Sequence, residues 1–205
     1  MRRKKIIGLV ICFILLIYFI GGIIYNFVLK EEKSTVKKTQ DNSITIKGFD
    51  YLLYDNDLEI YKKEFKKLKS NLESKEIDYL EYAYSISKMF IIDLYSLDNK
   101  SNKYDIGGVE FVYPDIRENY ELNVLNTLNK YIVDNSDGNR KQELPEVKNV
   151  TIESDEKIKF TIGEEKVDAY KIKLNIEYVK DLEYDNKAEL IIVKSDKYLY
   201  IVEKN

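Results

Sequence analysis

The feature that most constrains this chain is the run from Ile6 to Tyr25, IIGLVICFILLIYFIGGIIY, twenty residues without a single charge. At roughly 1.5 Å of rise per residue, a helix of that length spans a hydrocarbon core of about 30 Å. A helix buried inside a water-soluble domain rarely stays apolar on every side for so long. A cleaved signal peptide has a shorter apolar stretch and a small-x-small site after it, and no such site follows cleanly here. The sequence therefore predicts a basic tip over 1–5, one transmembrane helix over 6–29, a juxtamembrane stalk over 30–50 and a single soluble domain over 51–205. The only cysteine, Cys12, lies inside the run with Ile11 before it, which is no site for lipidation.

Charge gives the helix a direction. Arg2, Arg3, Lys4 and Lys5 precede the run, and such a cluster resists translocation, so the expected arrangement is N-terminus cytoplasmic and C-terminal domain extracytoplasmic. Four of the 33 basic residues lie before the run and all 36 acidic ones after it, which leaves a balance of −7 beyond the anchor. A mildly acidic domain is a poor match for a phosphate backbone, and no nucleic-acid partner is expected. The chain has no histidine, hence neither the commonest general base nor the commonest transition-metal ligand. Without a second cysteine it has no disulfide and no zinc site of the usual kind. No catalytic residue, metal ligand or cofactor-binding residue is assigned, and no cofactor is expected.

Of the 205 residues, those beyond the anchor and stalk suffice for one core of ordinary size. Lys30 to about Asp50 is polar, with one short extended piece at Ile44-Thr45-Ile46. Leu58, Tyr61, Phe65, Leu68 and Leu72 recur at three- and four-residue steps and predict an amphipathic helix. A second, more apolar helix fits Lys75 to Leu97, with Ile77, Leu80, Tyr84, Ile91 and Leu94 along it. Asn, Asp, Ser and paired glycines then break the pattern. After Pro114 a third helix fits, with Ile116, Tyr120, Val124, Leu128 and Tyr131 on one side.

From Pro145 the period changes to two. Val147 to Glu153 reads as one strand, and Ile158, Phe160 and Ile162 mark another, followed by a tight reversal at Gly163-Glu164. Tyr170, Ile172, Leu174, Ile176 and Tyr178 mark a long strand with one buried and one wet face. Ala188–Lys194 and Tyr198–Glu203 complete a count of about five. Helices followed by an antiparallel meander define an α+β domain. The expected core includes Leu80, Ile91, Leu94, Val124, Leu128, Ile172, Leu174 and Ile176.

In its element order, an anchor, a stalk, three helices and a curled sheet of four or five strands, the chain resembles the nuclear transport factor 2-like superfamily from about residue 5 to 205. Its membrane-tethered members include the bitopic scaffold subunits of conjugation and type IV secretion machines. The resemblance implies a helix-covered cone and a scaffold role in a membrane complex.

Two sets of residues are candidates for function. Asp105, Gly107, Gly108 and Glu110 place paired glycines beside carboxylates, which suits either an anion nest or a ligand loop, or a tight connection needing positive φ. It is not a dinucleotide fingerprint, which needs a third glycine. Eighteen tyrosines suit protein-binding surfaces, where an aromatic body and a polar tip act together, and Tyr170, Tyr178 and Tyr198 are the candidates. Asp93 and Glu81 lie too far apart around their helix to form a catalytic pair. Asp98–Asn102 and Asp134–Gly138 lack the ligand pattern of a calcium loop.

The expected function is a membrane-anchored, non-catalytic protein-binding or scaffold subunit of an envelope or secretion assembly. Its partners would be the lipid bilayer, other envelope proteins and further copies of itself. The alternative is an extracytoplasmic pocket that senses a small ligand or peptide.

Overall fold

The structure is a computed structural model, and it describes residues 43–205. The expected membrane helix and most of the stalk lie outside those residues. Among the described residues no helix is long and apolar enough to cross a membrane.

The element order is β1 (Ser43–Thr45), β2 (Leu52–Tyr54), α1 (Glu59–Leu72), α2 (Tyr79–Tyr95), α3 (Arg117–Asn126), β3 (Val147–Ile162), β4 (Glu165–Tyr178), β5 (Lys187–Ser195) and β6 (Tyr198–Lys204). Short 3-10 turns at Leu97–Asn99, Val109–Phe111 and Pro114–Ile116 link α2 to α3. The first two helices have a legible cause. In α1 the apolar spacing buries Tyr61, Phe65, Leu68 and Leu72 along one side. At the start of α2, the Asp78 side chain accepts hydrogen bonds from the Leu80 and Glu81 amides, satisfying donors that a helix start leaves unpaired.

Helix α2 is the centre of the described domain. It packs against α1 and against β3, β4 and β6, so it is buried well beyond a single stripe, with Tyr82, Ile86, Met89, Phe90 and Ile91 fully inside. Of the eight expected core residues, Ile91, Leu94, Val124, Ile172, Leu174 and Ile176 are buried, while Leu80 and Leu128 are half-buried. Ile46, Phe49 and Tyr51 also enter the core. The first two come from the segment read as stalk. They bring β1 and β2 with them as a separate two-stranded antiparallel sheet.

The cone of the nuclear transport factor 2-like fold is not formed. The main sheet is a four-stranded antiparallel meander in the order β3-β4-β5-β6 with two separate edges, and it does not curl closed. The expected strands at 147–153 and around Ile158–Ile162 are one continuous strand, β3. The polar stretch Glu153-Ser154-Asp155-Glu156 looks like a break in sequence. It stays in the ladder because a register shift between Ile152 and Ser154 absorbs one residue and Lys187 pairs with Glu153 at 3.0 Å. The third helix is also shorter than expected: it ends at Asn126, and Tyr131 is 75% exposed.

Candidate partner-binding face

The register shift in β3 decides which residues face outward. Before it, Val150 and Ile152 stand opposite Ile176 and Leu174; after it, Ser154 pairs with Lys173 and Ile158 with Ala169. Successive residues in a strand point to opposite faces, and a bulge adds one residue to that count. Ile158, Phe160 and Ile162, although in step with Val150 and Ile152 in sequence, therefore lie on the face turned away from α2.

There they join a second apolar cluster, separate from the main core. Ala169, Ile191 and Val193 are buried within it, and Tyr113, Ile158, Phe160, Ile162, Val167 and Val202 pack around them half-buried. Strand β4 pairs with β5 only over Ala169–Asn175, whereas it pairs with β3 as far as Glu165. The β3–β4 hairpin thus runs past the sheet as a two-stranded arm. Its two-residue turn is made by Gly163 and Glu164 with Gly163 at φ 60°, a conformation that glycine adopts without strain.

Tyrosines extend this face to the other side of the sheet. Tyr200 stands opposite Val193, its ring stacked on Tyr198 at 5.7 Å and met edge-on by Tyr113 at 5.8 Å. The Arg117 guanidinium lies 6.0 Å from the Tyr200 ring centre. The Tyr113 amide donates to the Ile201 carbonyl at 2.9 Å, and a parallel bridge joins Val112 to Ile201, so the edge of β6 is capped there. The remaining part of the face is charged: Glu189 neighbours Lys171 at 3.8 Å and Lys173 at 3.6 Å. Pairs this exposed add little stability. They set a polar border to an apolar and aromatic area.

Of the three candidate tyrosines only Tyr198 touches this area, through its stacking on Tyr200, and like the other two it packs against the main core. Its hydroxyl lies 3.0 Å from Asp50 Oδ2 and its ring 5.3 Å from Phe49. Tyr170 and Tyr178 are in phase with Ile172 and Ile176, on the helix side, and pack at the border of the main core. Eight residues of strand separate them, about 26 Å at ~3.3 Å per residue. The Tyr178 hydroxyl donates to the Asp185 carbonyl at 2.8 Å, and burial pushes its pKa up. The three do not form one surface. Sequence reasoning missed Tyr113 and the outward turn of Ile158, Phe160 and Ile162, and for the latter the interrupting acidic stretch was the only signal.

The glycine loop is an internal clasp. Gly108 has φ +76°, and a Cβ there would strike the Phe90 ring; at Gly107 a Cβ would collide with the Asp93 carbonyl. The Gly108 amide donates to Asp93 Oδ2 at 2.7 Å, and the Tyr120 hydroxyl donates to the Gly107 carbonyl at 2.6 Å. The Tyr61 hydroxyl donates to Glu110 Oε1 at 2.7 Å. Burial, then the Glu110 charge, hold the Tyr61 phenol well above its ordinary pKa. Asp105 accepts from the Ser101 amide at 3.1 Å, and its carbonyl accepts from Asn129 Nδ2 at 3.2 Å. These bonds join α1, the end of α2 and α3 around the loop, and the positive φ of Gly108 is what a tight connection needs. Glu81 is exposed and far from this clasp in sequence. Among the described residues no three His, Cys, Asp or Glu side chains converge as a metal site would require.

No protein-family model matches the chain, and no curated protein or solved structure matches it either.

Proposed function

We propose that the chain is a membrane-anchored, non-catalytic subunit that binds protein partners of the cell envelope, with its folded domain on the extracytoplasmic side. The observation that carries this reading is the outward face of the sheet, where half-buried Phe160, Ile162, Val167 and Tyr113 pack around Ala169, Ile191 and Val193 in an apolar cluster apart from the main core, with the half-buried Tyr200 ring beside Tyr113. A monomeric soluble surface rarely keeps such residues contiguous without a use, and aromatic side chains concentrate binding energy when a partner dries them. The charge-free run Ile6–Tyr25 supports the membrane setting, because a tether fixes the domain beside its neighbours and raises their effective concentration.

The test is a photo-crosslinking residue in place of Tyr200, with the full chain in its native membranes. One or a few envelope proteins should be recovered, and the Val167→Lys substitution should abolish that recovery while the domain stays folded. Recovery that is unchanged by Val167→Lys, or no adduct at all, would refute the reading.

A further inference from the structure

The two edges of the main sheet are treated differently. That of β6 is occupied by Val112 and Tyr113, whereas among the described residues no strand pairs with the outer edge of β3. Natural edge strands avoid unwanted pairing by bulges and charges, and the first part of β3 has both: register shifts after Val147 and Ile152, and the run Glu153-Ser154-Asp155-Glu156-Lys157. The last five residues, Ile158-Lys159-Phe160-Thr161-Ile162, have no bulge. They pair with β4 in unbroken register from Ala169 to Glu165, they contain no proline, and their three apolar side chains share one face. They also lie on the arm that extends past β5, where a second chain meets no obstruction from that strand.

We propose that this five-residue edge pairs with the same edge of a second copy of the chain, antiparallel, about a two-fold axis through Phe160 perpendicular to the sheet. The sequence is self-complementary about that residue. Ile158 then stands opposite the second copy's Ile162, Lys159 opposite its Thr161, and Phe160 opposite its Phe160. An axis perpendicular to the sheet keeps outward residues opposite outward residues, so only pairings centred on a residue are allowed. Centring on Lys157 or on Lys159 sets that lysine against itself, and centring on Ile158 sets Lys157 against Lys159; like charges directly opposite each other oppose pairing. Only the Phe160 centre places all three apolar residues against apolar partners and leaves no lysine facing a lysine. The two four-stranded sheets become one of eight strands, and the two outer apolar areas become continuous. A closed two-fold pair of this kind uses the same patch twice and does not propagate into a fibre.

The inference rests on the proposed function only for its membrane setting, where tethering favours encounter of two copies. The experiment uses the full chain in proteoliposomes on a Cys12→Ser background, with circular dichroism to confirm folding of each variant. Directly opposed residues of an antiparallel pair have Cα atoms about 4.5–5.5 Å apart, within disulfide range. The Phe160→Cys variant should therefore oxidise to a covalent dimer, and a mixture of Lys159→Cys and Thr161→Cys chains should form the mixed dimer in preference to either self-pair. Thr161→Lys sets two lysines against two lysines and should weaken self-association about tenfold; Lys159→Glu added to it should restore the dimer. A Phe160→Cys chain that stays monomeric, a dimer indifferent to Thr161→Lys, or a failure of the charge exchange to restore it overturns the proposal. Each of these results leaves the capture of other proteins at Tyr200 unaffected, so the two readings fail separately.

Discussion

The carboxylate of Asp93 lies 2.6 Å from the Nζ of Lys100, a lysine whose side chain is 3% exposed. With its other oxygen Asp93 holds the Gly108 amide. One side chain thereby neutralises an interior charge and fixes the loop between α2 and α3.

Removing Asp93 leaves that charge without its nearest anion, and breaking a buried pair costs more than never forming it. Asp93→Ala should destabilise the domain by about 3–5 kcal/mol. The double variant Asp93→Ala/Lys100→Met should recover a good part of the loss, since the buried ammonium is gone. Urea unfolding of the three proteins measures both values, and equal stability of the single and double variants would contradict the account.

Gly108 should be nearly as sensitive. Its φ of +76° lies where L-residues are strained by about 1–2 kcal/mol, and a new Cβ meets Phe90 in a packed interior, where overpacking costs about 1–3 kcal/mol. Gly108→Ala should thus lower stability by about 2–5 kcal/mol, read from the shift in the urea midpoint.

The parts of the fold that were legible in sequence are those where one period holds without interruption. Tyr61, Phe65, Leu68 and Leu72 in α1 keep a helical period and are buried together, and Ile172, Leu174 and Ile176 keep a strand period and face α2. Beyond Glu153 the same kind of reasoning fails, because even-numbered apolar residues continue in step while the bulge turns them to the opposite face. Parity gives the face only relative to the neighbouring residue, and a single extra residue inverts all that follow it. That inversion takes Phe160 to the outer face, and Tyr113, which reaches the same face from the link between two 3-10 turns, belongs to no periodic run. The polar stretch likewise divides one long strand into two in the sequence reading, and the four strands that form make an open sheet rather than a curled one.

Alkaline stability follows from the phenols of the core. The hydroxyls of Tyr51 and Tyr82 are 2.6 Å apart; burial pushes the Tyr82 pKa up from the ordinary 10.0 to about 12, against hydrogen bonds from Tyr51 and the Leu199 amide that lower it. A group whose pKa is higher in the folded state binds its proton more tightly there, so the contribution is intact below the unfolded value and is lost as pH rises through the folded one. Urea unfolding repeated at rising pH should show stability constant up to about pH 10 and falling between there and about pH 12. Phenolate absorbance should show part of the tyrosines ionising only on unfolding.

The last prediction separates the two faces of β4 by what each supports. Leu174 faces α2 and is fully buried, so Leu174→Ala removes transfer energy and leaves a cavity, a loss of about 2–5 kcal/mol. Val167 lies on the arm, half-buried in the outer cluster; replacing it by Lys forfeits roughly half the transfer energy of a valine, about 1 kcal/mol, and leaves the main core untouched. If the outer face exists to receive a partner, the effects on function invert this order. Val167→Lys introduces a charge into the surface that a partner must dry, and desolvating an unpaired charge opposes binding strongly. Leu174→Ala leaves the outer surface as it was wherever the domain remains folded. Crosslinking yield at Tyr200, normalised to folded protein, should therefore fall at least about tenfold for Val167→Lys and stay near the parent value for Leu174→Ala. A yield that tracks stability across both variants would mean that the outer face has no part in recognition beyond that of a folded domain.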